Sequence, residues 1–473
     1  MNSTALFARL KPLNRSNNPL YTVARHYVSR TNTKNNTSST APNNLLYLDQ
    51  MYNNNNPQQQ QQQKKDYDVY FKSLPKKQLV SLLLIGLCSL NKFTLATAIK
   101  MFPFIPYQIV KSLVSSLYCG GETMDEVLQC GKLLQNRGIS NMMLSLTIEN
   151  SDGVKQIDNI DEIVALTIES LHNVLKPNLL SQLQHSPDIN DIAPGYIALK
   201  PSALVKNPHK VLANFNTHPD AHVLVENCNR ITSEVFQLNQ QLAAMYPHRK
   251  VPFFIATIDA EKFELQHNGV YALQRQLMHK FNKLEYPLPS VIGTWQLYLA
   301  DSMKHIQHDI HLAKQNGYSL GLKIVRGAYI HSEPNRDSII FKSKAATDRN
   351  YNEIMLNIIN DMARNGSKSV FSHLMVASHN MDSQLKAATI LNSLPSDHYA
   401  RGNVTMGQLL GMADNVAFEL VENNNMKNVV KYVPWGPTKE TRDYLLRRLQ
   451  ENGDAVRSDN GWGLVKRVCS ALI

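Results

Sequence analysis

Acidic residues are missing from the start of this 473-residue chain: no Asp or Glu precedes Asp49, whereas Arg9, Lys11, Arg15, Arg25, Arg30 and Lys34 are all basic. With abundant Ser, Thr and Asn, that imbalance matches a mitochondrial transit peptide, expected over residues 1–48. The leader lacks the continuous apolar stretch that a secretory signal requires. Of the formal charge of +11, those six residues account for six, leaving +5 on the rest. That remainder shows no basic stripe interleaved with aromatics, so no nucleic-acid partner is expected. Cysteine is scarce: Cys88, Cys119, Cys130, Cys228 and Cys469 form no close pair, which excludes a disulfide framework and a zinc knuckle. No metal is expected. The longest apolar run, Leu79 to Leu90, is too short for a bilayer span and is broken by serines, although binding at a membrane surface stays open. Finally, no GxGxxG or Walker loop occurs, which removes the usual mark of an open nucleotide-binding sheet.

What is present begins with a low-complexity segment. Residues 49–66 contain NNNNPQQQQQQ and two lysines and are expected to form a disordered linker. Residues 67–139 have helical period, with helices expected at Lys77–Leu90, Ala96–Tyr118 and Thr123–Leu134, and are read as a helical arm.

From residue 140 to the end, strands alternate with helices. Strands are expected at Met142–Ile148, Gly195–Lys200, Phe253–Asp259, Ser290–Gln296, Leu320–Arg326, Val370–Ser378, Asn403–Leu410 and Val429–Val433. Helical period fills Val270–Leu284, Leu299–Gln315, Asp348–Arg364 and Met381–Leu394, and Asn-Gly pairs at 316, 365 and 452 stop helices. Eight strands in this alternation predict an α/β fold, a closed (βα)8 barrel of the TIM type. Lys200, Asp259, Gln296, Arg326, His379 and Tyr432 all fall at or near strand C-terminal ends, the rim on which such barrels build their chemistry.

The last strand is expected to stop at Pro434-Trp435-Gly436-Pro437, with Thr438 capping a helix that ends at Asn452-Gly453. Leu445, Leu446 and Leu449 form one face of that helix; Tyr444, Arg447, Arg448 and Glu451 form the other. Two guanidinium groups beside Tyr432 suit a small carboxylate, and equally suit a solvated helix end.

Six blocks carry a resemblance: TIDAE (Thr257 to Glu261), TWQLYL (Thr294 to Leu299), LGLKIVRGAY (Leu320 to Tyr329), ASHN (Ala377 to Asn380), GQLLGMAD (Gly407 to Asp414) and KYVPWGP…YLLRRLQEN. In this order they resemble the mitochondrial proline dehydrogenases of the fungal type, from about residue 140 to the end. The resemblance implies a distorted (βα)8 barrel whose last helix covers the mouth, FAD as cofactor, and oxidation of L-proline to Δ1-pyrroline-5-carboxylate. It also implies a quinone acceptor and a matrix location with peripheral inner-membrane association. Carried over by position, Lys200, Arg447 and Arg448 bind the proline carboxylate. Asp259 and Tyr432 line the pocket, Ala328 and Tyr329 touch the substrate side, and Lys323 lies near flavin N5. Gln296, Val325, Gly327, Ser378, His379, Asn380, Gln408 and Glu451 match flavin-contacting positions. The chain departs from the family pattern after Tyr329, where Asp337-Ser338-Ile339-Ile340 replaces a usual Gly-Tyr-Asp-Pro.

The chemistry suits these residue types. Hydride leaves proline C5 only when the ring nitrogen is neutral, and cations around the carboxylate favour that neutral amine. A tyrosine at 432 leaves little room for a 4-hydroxyl, favouring proline over hydroxyproline. The alternatives are a hydroxyproline dehydrogenase, another flavin-binding barrel enzyme using NAD(P)H, and a non-catalytic RNA- or membrane-binding relative.

Overall fold

The computed structural model describes residues 70–147, 159–437, 441–446 and 462–472, single positions 73, 89, 91, 331 and 443 excepted. All of them belong to one compact unit, residues 56–473. Its centre is a closed parallel barrel in which eight strands pair in chain order: β1 (Asn141–Leu146), β2 (Gly195–Leu199), β3 (Phe254–Ile258), β4 (Val291–Gln296), β5 (Leu320–Val325), β6 (Phe371–Ala377), β7 (Val404–Leu409) and β8 (Val429–Trp435). The β1–β8 pairing closes the ring. Each expected strand is present to within two residues, because parallel strands buried on both faces read as short, nearly continuous apolar runs.

Outside the ring lie α1 (Lys76–Cys88), α2 (Lys92–Met101), α3 (Met124–Gln135), α4 (Ile160–Ser170), α5 (Lys176–His185), α6 (Ala221–Met245), α7 (Tyr271–Phe281), α8 (Ser302–Asn316), α9 (Lys344–Asn365), α10 (Met381–Asn392) and α11 (Trp462–Leu472). Gly317 closes α8 at φ 67°, and Gly366 follows α9 at φ 55°, as the Asn-Gly pairs predict. Helices α4, α5 and α6 were not expected. The buried stripe of α6 is diluted by Asn227, Thr232 and Asn239, which weakens its apolar period. Asn239 is polar because it serves β3: its amide donates to the Phe254 carbonyl at 2.8 Å and accepts from the Phe254 N–H at 2.9 Å, while Asn227 donates to the Leu204 carbonyl beyond β2 at 3.0 Å.

Alternation along each strand divides the core. Leu322, Ile324, Leu374, Val376, Val404 and Met406 face the helices within one large cluster. Met143, Tyr196, Ala198, Ile255, Ile292, Met375 and Val430 fill the barrel. Within the filling, the Tyr196 hydroxyl donates to Thr405 Oγ1 at 2.9 Å and lies 2.8 Å from His373 Nε2. Complete burial pushes His373 down to about 3, so it is neutral there. Strands β4 and β5 approach closely at Gly321, where a Cβ would stand 2.5 Å from the Val291 carbonyl oxygen.

The last strand corrects one expectation. β8 runs through Pro434 to Trp435 rather than stopping before them. Pro434 shares the parity of Tyr432, whose carbonyl bonds towards β7, but β7 ends at Leu409. The missing proline N–H therefore removes no ladder bond. Trp435 faces β1 and its carbonyl accepts from the Thr147 N–H at 2.8 Å, which extends the strand. A second correction concerns Tyr444, expected on the polar face of its helix. It is 7% exposed and packs with Leu445, Phe102, Val110, Leu117 and Tyr118.

Candidate active site

Inward alternation delivers a cluster of polar side chains to the C-terminal mouth. Asp259 follows β3, Lys323 lies on β5, and Tyr432 lies on β8. One Asp259 oxygen is ion-paired with Lys323 Nζ, and these side chains are 13% and 8% exposed. The other Asp259 oxygen lies 2.8 Å from the Tyr432 hydroxyl, which is also 2.7 Å from Ser145 Oγ on β1. One phenolic proton cannot serve both, and the carboxylate is the stronger acceptor, so the Ser145 hydroxyl donates to Tyr432. The Lys323 ammonium lies 5.5 Å from the Tyr432 ring centroid. Burial, with the Asp259 charge adding to it, pushes the Tyr432 phenol well above its ordinary range, so it stays a donor. Four strands, β1, β3, β5 and β8, are thus joined above the filling of the barrel.

A second chain of contacts runs along the rim. Lys200 Nζ donates to the Leu146 carbonyl at 3.0 Å. Glu261, two residues beyond Asp259 and 3% exposed, accepts from the Ser202 N–H at 3.1 Å. Burial pushes its carboxyl up to about 7, and the neighbouring Asp259 charge adds to the effect. The Gln296 amide donates to the Glu261 carbonyl at 3.0 Å and to the Tyr298 hydroxyl at 3.1 Å. Tyr329 reaches back to donate to the Ala260 carbonyl at 3.0 Å. Burial, reinforced by Glu261 and Asp259, raises its phenol well above the usual value. Glu333 accepts from the Phe263 N–H at 2.8 Å, tying the segment after β5 to the one after β3.

The other expected positions divide into groups. Val325 is half-buried at the end of β5, and Gly327 and Ala328 are exposed beyond it. His379 Nε2 accepts from the Leu409 N–H at 3.2 Å, joining the ends of β6 and β7. Ser378 is buried and its hydroxyl accepts from the Asn380 N–H at 3.1 Å. The Asn380 side chain caps α10 by accepting from the Ser383 N–H at 3.0 Å. Gln408 is buried with the parity of Val404 and Met406, which face the helix layer, and neither end of its amide has a partner. Arg447, Arg448 and Glu451 lie outside the described residues, as do Thr438 and Asn452-Gly453. Arg326 is not brought to the mouth. It turns outward to Asp348 and to Ser383 Oγ at 2.5 Å, with its guanidinium 3.7 Å from the Tyr351 ring centroid.

Sequence reasoning missed Ser145, Ser202 and Tyr298. Ser145 was findable, because it shares the inward parity of Met143, the β1 residue that pairs with Tyr432. Ser202 and Tyr298 follow strand ends in irregular segments, where no period assigns a direction.

A large planar group with both donors and acceptors suits this mouth. Gln296 Oε1 is buried and unpartnered, aimed inward at the end of β4. Gly327, at φ 75°, has open space wherever a Cβ would stand. A buried acceptor left bare costs about 1–3 kcal/mol, which a ligand N–H would recover.

Comparison with known proteins bears on this geometry. Residues 131–460 match the family model described as Proline dehydrogenase. The probable mitochondrial proline dehydrogenase of Schizosaccharomyces pombe is 29% identical over 394 residues, covering 75% of this chain and 77% of that one. Mitochondrial proline dehydrogenase 1 of Dictyostelium discoideum is 27% identical, covering 76% of this chain and 63% of its own. The hydroxyproline dehydrogenase of Mus musculus is 26% identical, with coverages of 74% and 79%. Among solved structures, proline utilization A from Bdellovibrio bacteriovorus superposes with a TM-score of 0.55 at 17% identity, covering 82% of this chain and 38% of that one. Proline utilization A from Corynebacterium freiburgense gives 0.52 at 16%, with coverages of 80% and 34%. At such identities these structures support the barrel fold alone.

Proposed function

This chain belongs to the proline dehydrogenase family, and from that premise we propose that it uses FAD to oxidise L-proline to Δ1-pyrroline-5-carboxylate in mitochondria. The observation that carries the reading is the Lys323–Asp259–Tyr432 network at the barrel mouth, where inward side chains from three strands converge. When bound, FAD supplies the acceptor for the hydride that leaves proline C5.

The residues of the chain do the rest. Arg447, Arg448 and Lys200 hold the substrate carboxylate, and their positive charge disfavours protonation of the ring nitrogen. Because Asp259 offsets the charge of Lys323, excess cation is concentrated on the carboxylate side. Tyr432, oriented by Asp259 and Ser145, forms a fixed wall for the ring. Ala328 and Tyr329 close the substrate side. Gln296, Val325, Gly327, Lys323, Ser378, His379, Asn380 and Glu451 hold the flavin, with the bare Gln296 oxygen as one acceptor for it.

Electrons leave to a quinone, at the inner membrane's matrix face. In support of a peripheral contact, α1 and α2 and the turn after them expose Leu84, Leu87, Phe93, Met101 and Phe104, with Phe93 and Phe104 80% and 79% exposed. Among the described residues no single helix is long and apolar enough to cross a membrane, although the bent pair Gln78–Cys88 and Phe93–Phe104 passes on length and composition.

Purified protein is expected to be yellow and to be bleached by proline without oxygen. Colourless active protein, or flavin that proline leaves oxidised, would overturn the assignment. Arg448→Ala is expected to raise KM for proline with flavin still bound, and flavin loss would move that residue to the cofactor site.

A further inference from the structure

Outside the mouth, His267, Asp301 and His305 bring their ligand atoms within 4.8 Å of one another. Asp301 and His305 sit one turn apart at the start of α8, and His267 lies in the π-helical turn Gln266–Val270 that opens α7. His267 Nε2 is 3.0 Å from Asp301 Oδ2, and His305 Nε2 is 3.2 Å from the same oxygen. Two observations set this cluster apart from an ordinary ion pair.

The first is the orientation of the His267 ring. His267 Nδ1 stands 2.9 Å from the Phe263 carbonyl, which only accepts, so the ring proton is on Nδ1. In the neutral ring Nε2 then carries a lone pair aimed at a carboxylate oxygen. Held this way, Nε2 faces the space it shares with Asp301 and His305, as a ligating nitrogen does. The backbone carbonyl also does what outer partners do at metal sites, fixing the tautomer and orientation of a ligating imidazole. The second observation is Asp301 itself. It is the N-cap residue of α8, yet its side chain caps nothing and turns to the histidines instead. Its other oxygen, Oδ1, is buried and bears no hydrogen bond.

We propose that His267, Asp301 and His305 form a binding site for a divalent transition-metal ion of the zinc type. Bonds of about 2.0–2.2 Å to a tetrahedral ion separate neighbouring ligand atoms by about 3.3 Å, close to the two separations seen here. Two imidazoles and one carboxylate leave a fourth position for water, and this donor set favours Zn2+ over the oxygen-seeking Mg2+. The rings are already packed in place: Tyr271 stacks on His305 at 4.8 Å, and Phe263 lies 4.0 Å from His267 between ring centroids. An ion here would join α7 to α8 at their N-terminal ends, beside the segment that follows Asp259. Cysteine spacing gives no hint of it, because the ligands come from two separate βα units.

The test uses flavin-loaded full-length protein, stripped with a chelator and dialysed against micromolar Zn2+. Bound zinc is counted per flavin in wild type, His305→Asn and Asp301→Asn. Wild type should bind one equivalent more than either variant, with the site's affinity falling at least about 100-fold, beyond the 10–100-fold typical of lost outer partners. A hundredfold excess of Mg2+ should displace none of it. The comparison subtracts zinc held by scattered surface histidines, and flavin content reports folding separately in each variant. Equal zinc in wild type and both variants would overturn the site and leave a histidine–aspartate ion pair. Displacement by Mg2+ would overturn the assigned class of ion.

Discussion

Replacing Asp259 by Asn is the perturbation to which the mouth should respond most strongly. Its two oxygens face different partners, the Lys323 ammonium and the Tyr432 hydroxyl. Asparagine keeps the shape but removes the charge, leaving the Lys323 ammonium without its carboxylate at 8% side-chain exposure. Breaking one partner of a buried pair costs about 3–5 kcal/mol, and opening towards the mouth places this pair near about 3 kcal/mol. Lys323→Met should cost less, about 2 kcal/mol, because Tyr432 still donates to the carboxylate. The double variant removes both charges together and should cost much less than the two singles combined, giving a coupling of about 2–3 kcal/mol. Urea unfolding of the four flavin-loaded proteins, followed by far-UV dichroism and flavin release, measures that coupling. The kcat/KM for proline should fall at least about 100-fold in each single variant, about 2.7 kcal/mol of lost transition-state stabilisation. Stability effects that add to within about 0.5 kcal/mol would refute the reasoning, since the two side chains would then share no interaction.

Glu261, with its carboxyl pushed up to about 7, binds more protons folded than unfolded between about pH 4.5 and 7. Native stability should therefore fall by up to about 3 kcal/mol as pH rises through that window, and a Glu261→Gln variant should lack the decline; parallel profiles in urea would contradict the assignment. Arg326→Met should lower stability by about 2–4 kcal/mol through loss of its Asp348 and Ser383 contacts while leaving the proline KM unchanged, so a raised KM in steady-state assays would return this residue to the mouth. Tyr432→Ser should raise activity on 4-hydroxyproline relative to proline at least about 10-fold by removing the ring wall, and an unchanged ratio of kcat/KM values would show that the phenol does not set specificity.

Much of this architecture was legible because the barrel imposes two periods on the chain. Strands buried on both faces are short apolar runs, and the Asn-Gly stops at 316 and 365 mark where the intervening helices end. The unread helices fail for a physical reason. In α6, side chains that must satisfy strand edges are polar, so hydrogen bonding from Asn239 to β3 erases the stripe that packing would otherwise write. The rim residues Asp259, Gln296 and Tyr432 were found from strand ends alone, and inward parity accounts for all three. Arg326 was drawn into the same set by position but has the opposite parity, and the structure turns it into the helix layer. Counting parity from the strand interior separates it from Lys323 and Val325. Glu261 stood in view within TIDAE, but its perturbation arises from burial under the segment after β2, which one sequence does not display.

Parity also accounts for how rigidly the mouth is built. Beside inward residues stand outward neighbours locked into the helix layer. Trp295, preceding Gln296, donates from its indole to Asp309 at 3.0 Å, and Asp309 also receives Arg275 at 2.5 Å. Lys431, preceding Tyr432, is ion-paired with Asp414 at 2.6 Å and donates to the Met412 carbonyl at 3.2 Å. A strand tip pinned on its outer side fixes the backbone from which its inner side chain projects, so the mouth contacts of Gln296 and Tyr432 act on side chains whose Cα positions are already set. That arrangement suits a reaction in which a hydride donor must be held to within an ångström of its acceptor, because the positioning is settled when the chain folds rather than when substrate arrives.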